Sequence, residues 1–421
     1  MAMVPPKGSS AGPLRVIFPG WSNSGRGPDF TGAVVQTPEG SILRGDVEIH
    51  VDDHGWYRHG HHRDPAYDNV ALHVVWRAKD TTRSARTSRG RQVPMSIVER
   101  AAGSHRRSDA RPCVRRADTL EAETIGQTLD HHGDRRFQEK AVSLAGRGHR
   151  DGADQALYRG LLMALGYSKN TAPFGDLADR LPYPTLSRIA ENVPKKRRRA
   201  TIEGLLFGAS GLLPSQREMT SDGSEWVVAL EAAWASSGLG PDGPPPAWQC
   251  FRLRPENGPV RRVAGAAALV EAFLREGPAT ALERVLTALG GAPTASMLRQ
   301  ALTIVEHGYW ADHWDFGKRR KHAATLIGAG RASDMAVNVV LPFFYGRALL
   351  TGDRGLQRLC LETYRAHPPL SSNHVTREME RMLRPGLAHG TIATARRQQG
   401  LLRLYGTRCS KLLCDGCPIV P

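Results

Sequence analysis

The sequence has 421 residues, enough for two or three domains with a sizeable buried core. Apolar residues make up 40% and charged residues 23%, an ordinary globular composition that excludes wholesale disorder. Lysine and arginine number 57 against 41 acidic residues, and the formal net charge of +16 favours an anionic partner, nucleic acid first. Arginine enrichment along the whole chain is the alternative explanation, because these residues are not gathered in one stripe.

Targeting signals are not expected. The N-terminal run MAMVPPKGSSAGPLRVIFPG has no basic flank followed by an apolar core, so it does not resemble a secretory signal. No apolar run approaches the ~18 residues that a membrane span needs. Six cysteines, three of them near the C-terminus, do not form a disulfide framework. The sequence therefore predicts a cytoplasmic protein with no membrane partner.

The order of predicted elements indicates an α+β protein. Short β-branched runs separated by Gly, Pro and Asp predict a β-rich module over 14–80, and the polar, basic text of 81–118 predicts a surface loop or linker. Helical periodicity dominates 119–240 and 247–421, on either side of PDGPPPAW, a rigid loop at 241–248.

The clearest helix is DQALYRGLLMALGY. Its leucines at 157, 161, 162 and 165 form one apolar stripe, and Gly166 stands where a helix C-cap is expected.

One predicted strand, LRGDVEIHV, carries polar residues in alternation. Asp46, Glu48 and His50 share one face, and Val47, Ile49 and Val51 share the other. Asp29 begins the preceding strand, so neighbouring strands can bring it beside them. Several close carboxylates repel one another unless a cation neutralises them, and hard oxygen ligands suit Mg²⁺ or Mn²⁺. The alternative is a set of solvated acids on an open sheet face.

This arrangement resembles the PD-(D/E)XK nuclease superfamily, with Pro28-Asp29 opening one strand and Glu48-Ile49-His50 on the next. The resemblance implies that Asp29 and Glu48 hold a divalent metal that orients a water for phosphodiester cleavage, and that His50 positions or deprotonates this water. The sequence departs from the superfamily pattern because His50 replaces the usual lysine. The segment after the strand is also too rich in Gly, Pro and His to form a good helix.

A histidine-rich segment follows. Four histidines and Asp64 fall within eleven residues, and His73 lies on the next predicted strand; the histidines are His54, His59, His61 and His62. His59, His61 and Asp64 are candidates to complete a transition-metal site for Zn²⁺, Mn²⁺ or Fe²⁺. The alternatives are a polar surface loop and, for His73, a hydrogen-bonded core histidine.

Several runs resemble the bacterial family known as domain of unknown function 2851. They are GPDFTGA, GDVEIHV, WYRHGHHRDPAYDNVALHVVW, ALGYSKN, LLFGASGLLP, FRLRPENGPVRR and the terminal CDGCP. The resemblance spans nearly the whole chain but implies no activity. It implies a further helical segment before the first strand, for which the 13 residues before Leu14 leave no room.

The C-terminal cysteines Cys409, Cys414 and Cys417 have metal-ligand spacing. Their C-X2-C contains a glycine, and thiolates bind Zn²⁺ or an iron–sulfur cluster. The fourth ligand is predicted to be Cys360, with Cys113, Cys250 or a histidine as alternatives. Three reduced cysteines without a metal are the other interpretation.

The sequence thus predicts a metal-dependent, nuclease-like phosphodiesterase that acts on DNA or RNA. Its N-terminal site would hold Mg²⁺ or Mn²⁺, with Zn²⁺ as an alternative, and a run of cations would bind phosphates. The predicted metal ligands are Asp29, Asp46, Glu48, His59, His61, Asp64 and His73, with Cys360, Cys409, Cys414 and Cys417 at the second site. The predicted phosphate-binding residues are Lys195, Lys196, Arg197, Arg198 and Arg199.

Two alternatives stay open. One is a cupin-like metal enzyme that acts on a small molecule, with His59, His61, His73 and Glu48 converging inside a closed barrel. The other is a non-enzymatic nucleic-acid-binding or assembly protein.

Overall fold

The computed structural model describes most of the chain. The described residues are 2–4, 14–23, 25–78, 84–99, 113, 121–217, 219, 223–240, 243–250, 253, 257–288, 294–320, 325–383, 387, 390–411 and 413–419. The chain divides into two compact units, Met1–Ser108 and Asp109–Pro421. The first contains a mixed β-sheet and the second is mostly helical, so the predicted α+β class is confirmed.

Seven strands of the first unit form one sheet. They are β1 (Ala2–Val4), β2 (Arg15–Phe18), β3 (Trp21–Ser22), β4 (Phe30–Gln36), β5 (Ile42–Asp52), β6 (Val70–Arg77) and β9 (Met95–Glu99). Their order is β1-β9-β6-β5-β4-β2, with β3 beside β4. Two short strands, β7 (Ala85–Arg86) and β8 (Gln92–Val93), pair with each other. Within the described residues no pairing joins β1 to β2, so these strands do not form the closed barrel that the cupin-like alternative requires.

Strand directions place the histidine-rich segment beside β5. β4 and β5 are antiparallel, with Phe30 opposite Val47, whereas β5 and β6 are parallel, with Glu48 opposite His73. Parallel neighbours need a crossover connection. Residues 53–69 make it with helix α1 (Gly55–Arg58) and two 3₁₀ turns, and they contain no long helix, as their composition predicts.

The polar side chains of β5 are buried, whereas a half-buried strand usually buries its apolar side chains. Asp46, Glu48 and His50 are buried at 8%, 4% and 7% exposure, while Ile49 and Val51 are 44% and 65% exposed. From Glu48 to Val51 burial alternates with the polar side chains inside, but Val47 of the apolar face is buried as well, at 5% exposure. Buried polar groups need partners, so the polar face is where interactions must be sought.

The segment 81–118, predicted to be a loop or linker, contains strands β7, β8 and β9. β9 pairs with β6 through His73 and Met95, so part of the segment belongs to the sheet. The polar residues between these short strands led to the prediction of a loop or linker. Within 81–118, the residues 81–83, 100–112 and 114–118 lie outside the described residues.

The second unit contains both predicted helical regions. Its described helices, in chain order after α1, are α2 (Ala122–Asp151), α3 (Ala153–Leu165), α4 (Thr171–Arg180), α5 (Tyr183–Glu191), α6 (Lys195–Ser210), α7 (Glu225–Ala235), α8 (Pro259–Phe273), α9 (Gly277–Thr287), α10 (Thr294–Leu302), α11 (Ala329–Met335), α12 (Leu341–Thr351), α13 (Arg354–Ala366), α14 (His374–Leu383) and α15 (Ala395–Thr407). A π-helical segment, Ala336–Val340, joins α11 to α12.

The predicted leucine stripe lies in α3 and is confirmed. Leu157, Leu161, Leu162 and Leu165 are at most 2% exposed, and the helix ends at its C-cap, Gly166. Among the described residues of the helical unit, these leucines belong to the larger of two hydrophobic cores, and the smaller one includes Ile125, Leu129 and Met379. In the described part of the chain, no helix is long and apolar enough to cross a membrane.

Candidate metal centre

Two glycines let the crossover segment return to the buried face of β5. Gly55 lies against the ring of His50, where a Cβ atom would stand 2.6 Å from His50 Cδ2, so the chain can pass only without a side chain. Gly60, with φ of 76°, takes the left-handed conformation that glycine adopts readily. It turns the chain between His59 and His61 and directs both rings toward His50.

Three imidazoles meet at this point. His50 Nε2 lies 3.1 Å from His59 Nδ1, and one ring nitrogen from each of His50, His59 and His61 lies within 4.8 Å of the others. Among the described residues, these three are the one group of histidine, cysteine or acidic side chains that converge so closely. His50 and His61 are buried, whereas His59 is exposed, so the group opens to solvent at one ring.

Glu48 adds a carboxylate to the three rings. Its Oε1 lies 3.2 Å from His61 Nε2 and 3.7 Å from His50 Nε2. His61 Nε2 is buried and, among the residues that the structure describes, forms no hydrogen bond, despite the short distance to Glu48. A buried nitrogen without a hydrogen bond is costly in a folded protein unless another partner, such as a metal ion, uses its lone pair. Three imidazoles and one carboxylate form a donor set that suits Zn²⁺, Mn²⁺ or Fe²⁺.

His73 supports His50 from behind. His73 Nε2 lies 2.9 Å from His50 Nδ1, and both rings are buried. Burial, followed by the neighbouring His73, lowers the pKa of His50 to about 4, and burial lowers the pKa of His73 to about 4 as well. Both rings are therefore neutral at pH 7, and neutral imidazole is the form that binds metals. His73 is thus a hydrogen-bonded core residue, as the alternative interpretation expects, and its role as a metal ligand stays a prediction.

Asp29 and Asp46 use their carboxylates on backbone amides. Asp29 Oδ2 accepts from Ile49 N at 3.1 Å, and Asp29 N donates to Glu48 Oε2 at 2.9 Å. Asp46 Oδ1 accepts from Gly32 N at 2.9 Å, where the β4–β5 register shifts and the ladder is irregular. Within the described residues neither Asp29 nor Asp46 joins the close group of three, so their role as metal ligands stays a prediction.

Asp64 stabilises the crossover segment. Its Oδ1 accepts from Ala66 N at 3.0 Å, and its Oδ2 pairs with Arg26 at 3.1 Å. The Ala66 amide, with Arg26, lowers the pKa of Asp64. Asp64 thus caps the turn Pro65–Tyr67 and lies outside the close group. His54 and His62 also lie outside it.

Two aromatic residues that the sequence did not single out hold His61 in place. The His61 ring stacks on Tyr67 at a centroid distance of 3.7 Å and meets the edge of Trp56 at 5.4 Å. Trp56 is fully buried and donates from Nε1 to Arg86 O, in β7, at 2.8 Å. The sequence contained this information, because the two aromatic residues flank the histidines in WYRHGHHRDPAY.

The C-terminal cysteines lie in the helical unit. Cys409 starts a 3₁₀ turn, and Cys417 N donates to Cys414 O at 3.1 Å across the predicted tight turn. Cys409 and Cys417 pack against the smaller core, as does Cys113. These described cysteines do not form a close ligand group like the histidines, and metal binding here stays a prediction.

Cys360, the predicted fourth ligand, lies elsewhere in the core. It is fully buried in the larger hydrophobic core, whereas the other three cysteines are partly exposed. Burial raises the pKa of the Cys360 thiol to about 12, which disfavours the thiolate that a metal needs. Cys113, one of the alternatives, packs against the same smaller core as Cys409 and Cys417, and the identity of a fourth ligand stays a prediction.

The predicted phosphate-binding run begins α6. Lys195, Lys196 and Arg197 are exposed, but Arg199 pairs with three carboxylates inside the unit, those of Glu203, Glu271 and Glu306. Three of the five predicted residues are thus exposed to solvent, and Arg199 is not.

Comparison with known proteins identifies the family. A family model described as "Protein of unknown function (DUF2851)" matches residues 7–373. The chain belongs to this family. The match includes the whole histidine and Glu48 site and ends before the three C-terminal cysteines, so the predicted family resemblance is confirmed for most of the chain but not for CDGCP. No curated protein and no solved structure matches the chain.

Proposed function

We propose that this DUF2851 chain is a metal-dependent hydrolase that cleaves phosphodiester bonds in nucleic acid. His50, His59 and His61 would hold the metal, with Glu48 as the adjacent carboxylate. The observation that carries the proposal is that one ring nitrogen from each of His50, His59 and His61 lies within 4.8 Å of the others, while the buried His61 Nε2 has no hydrogen bond among the described residues.

The form of the site favours a polymeric substrate over an enclosed small molecule. His59 is exposed while Glu48, His50 and His61 are buried, so approach is from the solvent side of His59. The described strands form an open sheet, and a long chain can pass an open surface. The formal net charge of +16 favours a polyanion. Together these features support nucleic acid as the substrate class.

Each residue of the candidate metal centre would have a distinct role in the proposed hydrolysis. His50, His59 and His61 would hold a divalent metal, which when bound would supply Lewis-acid polarisation of a phosphodiester oxygen and favour the ionisation of water. Glu48 Oε1, next to His61 and His50, is placed to accept a proton from the attacking water. Burial, with His73, lowers the pKa of His50, and His73 fixes the orientation of this ring through Nδ1.

The test combines metal analysis with activity. Wild type, His61→Ala and Glu48→Gln would be purified anaerobically, their bound metals measured by mass spectrometry, and DNA and RNA hydrolysis assayed with Mn²⁺, Mg²⁺ and Zn²⁺. His61→Ala should lose metal and activity. Glu48→Gln should keep nucleic-acid binding but lose hydrolysis. His54→Ala, in the same segment but outside the close group, is the matched control and should resemble wild type.

Two outcomes separate the alternatives. A wild type that binds nucleic acid in a salt-sensitive way but cleaves it with none of these metals would support the non-enzymatic alternative. Metal content that His61→Ala does not change would rule out the proposed ligand set.

A further inference from the structure

The loop that follows α15 contains three of the six cysteines, Cys409, Cys414 and Cys417. Arg408, at the start of this loop, holds its two ends together. The backbone oxygen of Arg408 accepts from Leu413 N at 3.1 Å, and its Nη1 donates to Asp415 O at 3.3 Å. The cysteine at the start of the loop is therefore held close to the two cysteines at its end.

Cys414 and Cys417 occupy the two ends of a tight turn. Cys417 N donates to Cys414 O at 3.1 Å, and Gly416, with φ of 63°, has the left-handed conformation that a type II turn requires at its third position. The end residues of such a turn have Cα atoms less than about 7 Å apart. Two cysteines at this spacing can bind the same metal centre.

A fourth cysteine packs against the same part of the helical unit. Cys113, which precedes α2 in the chain, contacts the smaller core, and so do Cys409 and Cys417. This core has eight buried residues in the described part of the chain, so side chains that pack against it are near one another. The remaining two cysteines differ, because Cys360 is fully buried in the larger core and Cys250 is exposed.

The surroundings of the four cysteines suit thiolates that bind a metal. All four side chains are partly exposed, so an ion can reach them from solvent, and among the described residues no disulfide joins any of them. The guanidinium of Arg408 reaches this loop, and a neighbouring arginine favours the thiolate over the thiol. Cys360 lacks this accessibility.

We propose that one metal centre is bound by four thiolates, those of Cys113, Cys409, Cys414 and Cys417. In this set Cys113 replaces Cys360, the fourth ligand expected from the sequence. The centre would connect the chain before α2 to the chain after α15 beside the smaller core. Because metal-binding free energy adds to the folding free energy, removing the metal should destabilise this core. The proposal does not depend on the hydrolase activity proposed above.

The spacing of the sulfur atoms bears on which metal is bound. Four thiolates at about 2.3 Å from one zinc ion have sulfurs roughly 3.8 Å apart. Among the described residues, no three of these cysteine sulfurs lie within 4.8 Å of one another. A four-iron cluster binds each thiolate at a different iron and accommodates wider spacing, so the geometry favours an iron–sulfur cluster. Zinc would require the side chains to rotate inward.

The test combines metal analysis with the reactivity of the thiols. Anaerobically purified wild type would be analysed for zinc, iron and acid-labile sulfide and by visible absorption. It would then be alkylated with iodoacetamide before and after metal removal, by EDTA alone or with ferricyanide, and the modified cysteines mapped by mass spectrometry. The four proposed ligands should be protected until the metal is removed, whereas Cys250, exposed elsewhere in the helical unit, should react in both states.

Variants test the fourth ligand. Cys113→Ser should lose the metal, and the matched control Cys250→Ser should retain it. His61→Ala should also retain it, which separates this centre from the N-terminal one. Iron and sulfide with visible absorption identify a cluster. Zinc in a colourless protein identifies the other metal, and Cys113→His should then restore binding, because three cysteines and one histidine form a common zinc site.

Three results would overturn the proposal. The first is a metal content in Cys113→Ser equal to that of wild type. The second is alkylation of Cys113 in the metal-loaded wild type as fast as that of Cys250, which decides the matter even if Cys113→Ser does not fold. The third is a wild type that binds neither zinc nor, after reconstitution with iron and sulfide, a cluster.

Discussion

His73 Nε2 lies 2.9 Å from His50 Nδ1, on the side of the ring opposite the nitrogen that faces His59 and Glu48. One ring nitrogen of His50 is therefore occupied by a partner within the sheet, and the other faces the candidate metal centre. Such an arrangement fixes both the tautomer and the orientation of a ligand.

Replacing His73 by Gln should weaken metal binding without removing it. Loss of an outer partner of a metal-binding histidine typically reduces affinity about 10–100-fold. Competition with a chromogenic chelator measures this. His54→Ala should leave the affinity unchanged, and equal affinities for His73→Gln and wild type would contradict the positioning role.

Gly55→Ala should disturb the centre through packing alone. Its new Cβ would stand 2.6 Å from His50 Cδ2, so the ring or the backbone must move, at roughly 1–3 kcal/mol. We expect metal binding to fall together with stability in urea unfolding. Gly40→Ala is the control, since Gly40 has φ of 88° and open space around it. It should cost about 1–2 kcal/mol for the left-handed backbone and leave metal binding intact. Equal metal binding in the two variants would contradict the steric argument.

Cys414→Ala should remove metal from the second predicted site and leave the first unchanged. Mass spectrometry of anaerobically purified protein measures both, with ultraviolet–visible absorption to distinguish an iron–sulfur cluster from zinc. Cys360→Ala serves as the comparison, because its thiol is buried in the larger core. Identical metal content in Cys414→Ala and wild type would show that the C-terminal cysteines are reduced thiols that bind no metal.

Glu203→Ala should destabilise the helical unit strongly. Glu203 is fully buried, pairs with Arg199, and accepts from Trp226 Nε1 at 3.0 Å and Trp310 Nε1 at 2.8 Å. Removing one partner of a buried ion pair costs about 3–5 kcal/mol. Urea unfolding measures this, and Glu276→Ala, which removes an exposed partner of Arg284, should change little. Similar midpoints for the two variants would show that the buried network contributes little.

Acidification should destabilise the helical unit through His367. Burial lowers the pKa of this histidine from its usual value of 6.5, so the unfolded chain binds a proton more readily than the folded one. The resulting stability is present above pH 6.5 and is lost as the pH falls toward the lowered value. His367→Gln should reduce the loss between pH 7 and pH 5, whereas His149→Gln, at an exposed position, should not. The same slope in wild type and His367→Gln would exclude this origin.

Much of the fold could be predicted from the sequence, and the candidate metal centre could be predicted in part. Alternation identified β5, and leucine spacing identified α3, because each pattern reflects a local backbone period. The meeting of His50, His59 and His61 could not be predicted as a set, because it depends on the parallel pairing of β5 with β6 and on the path of the crossover. The hydrogen bond from Ala66 N to Asp64, two residues away, was also not predicted, and the role of Asp64 as a metal ligand stays a prediction.

The inverted burial of β5 has a consequence for how the strand finds its alignment. In most half-buried strands the apolar side chains decide which face turns inward, and a slip of one residue is prevented by the cost of exposing them. Here only Val47 of the apolar face is buried, Ile49 and Val51 face solvent, and the side-chain bonds of Asp29, Asp46 and Glu48 to specific backbone amides also distinguish the correct alignment. The acids therefore help to fix the register of β5 against its neighbouring strand. A relative that had discarded the chemistry would still have to keep them, so their retention alone would be a poor guide to whether that relative is active.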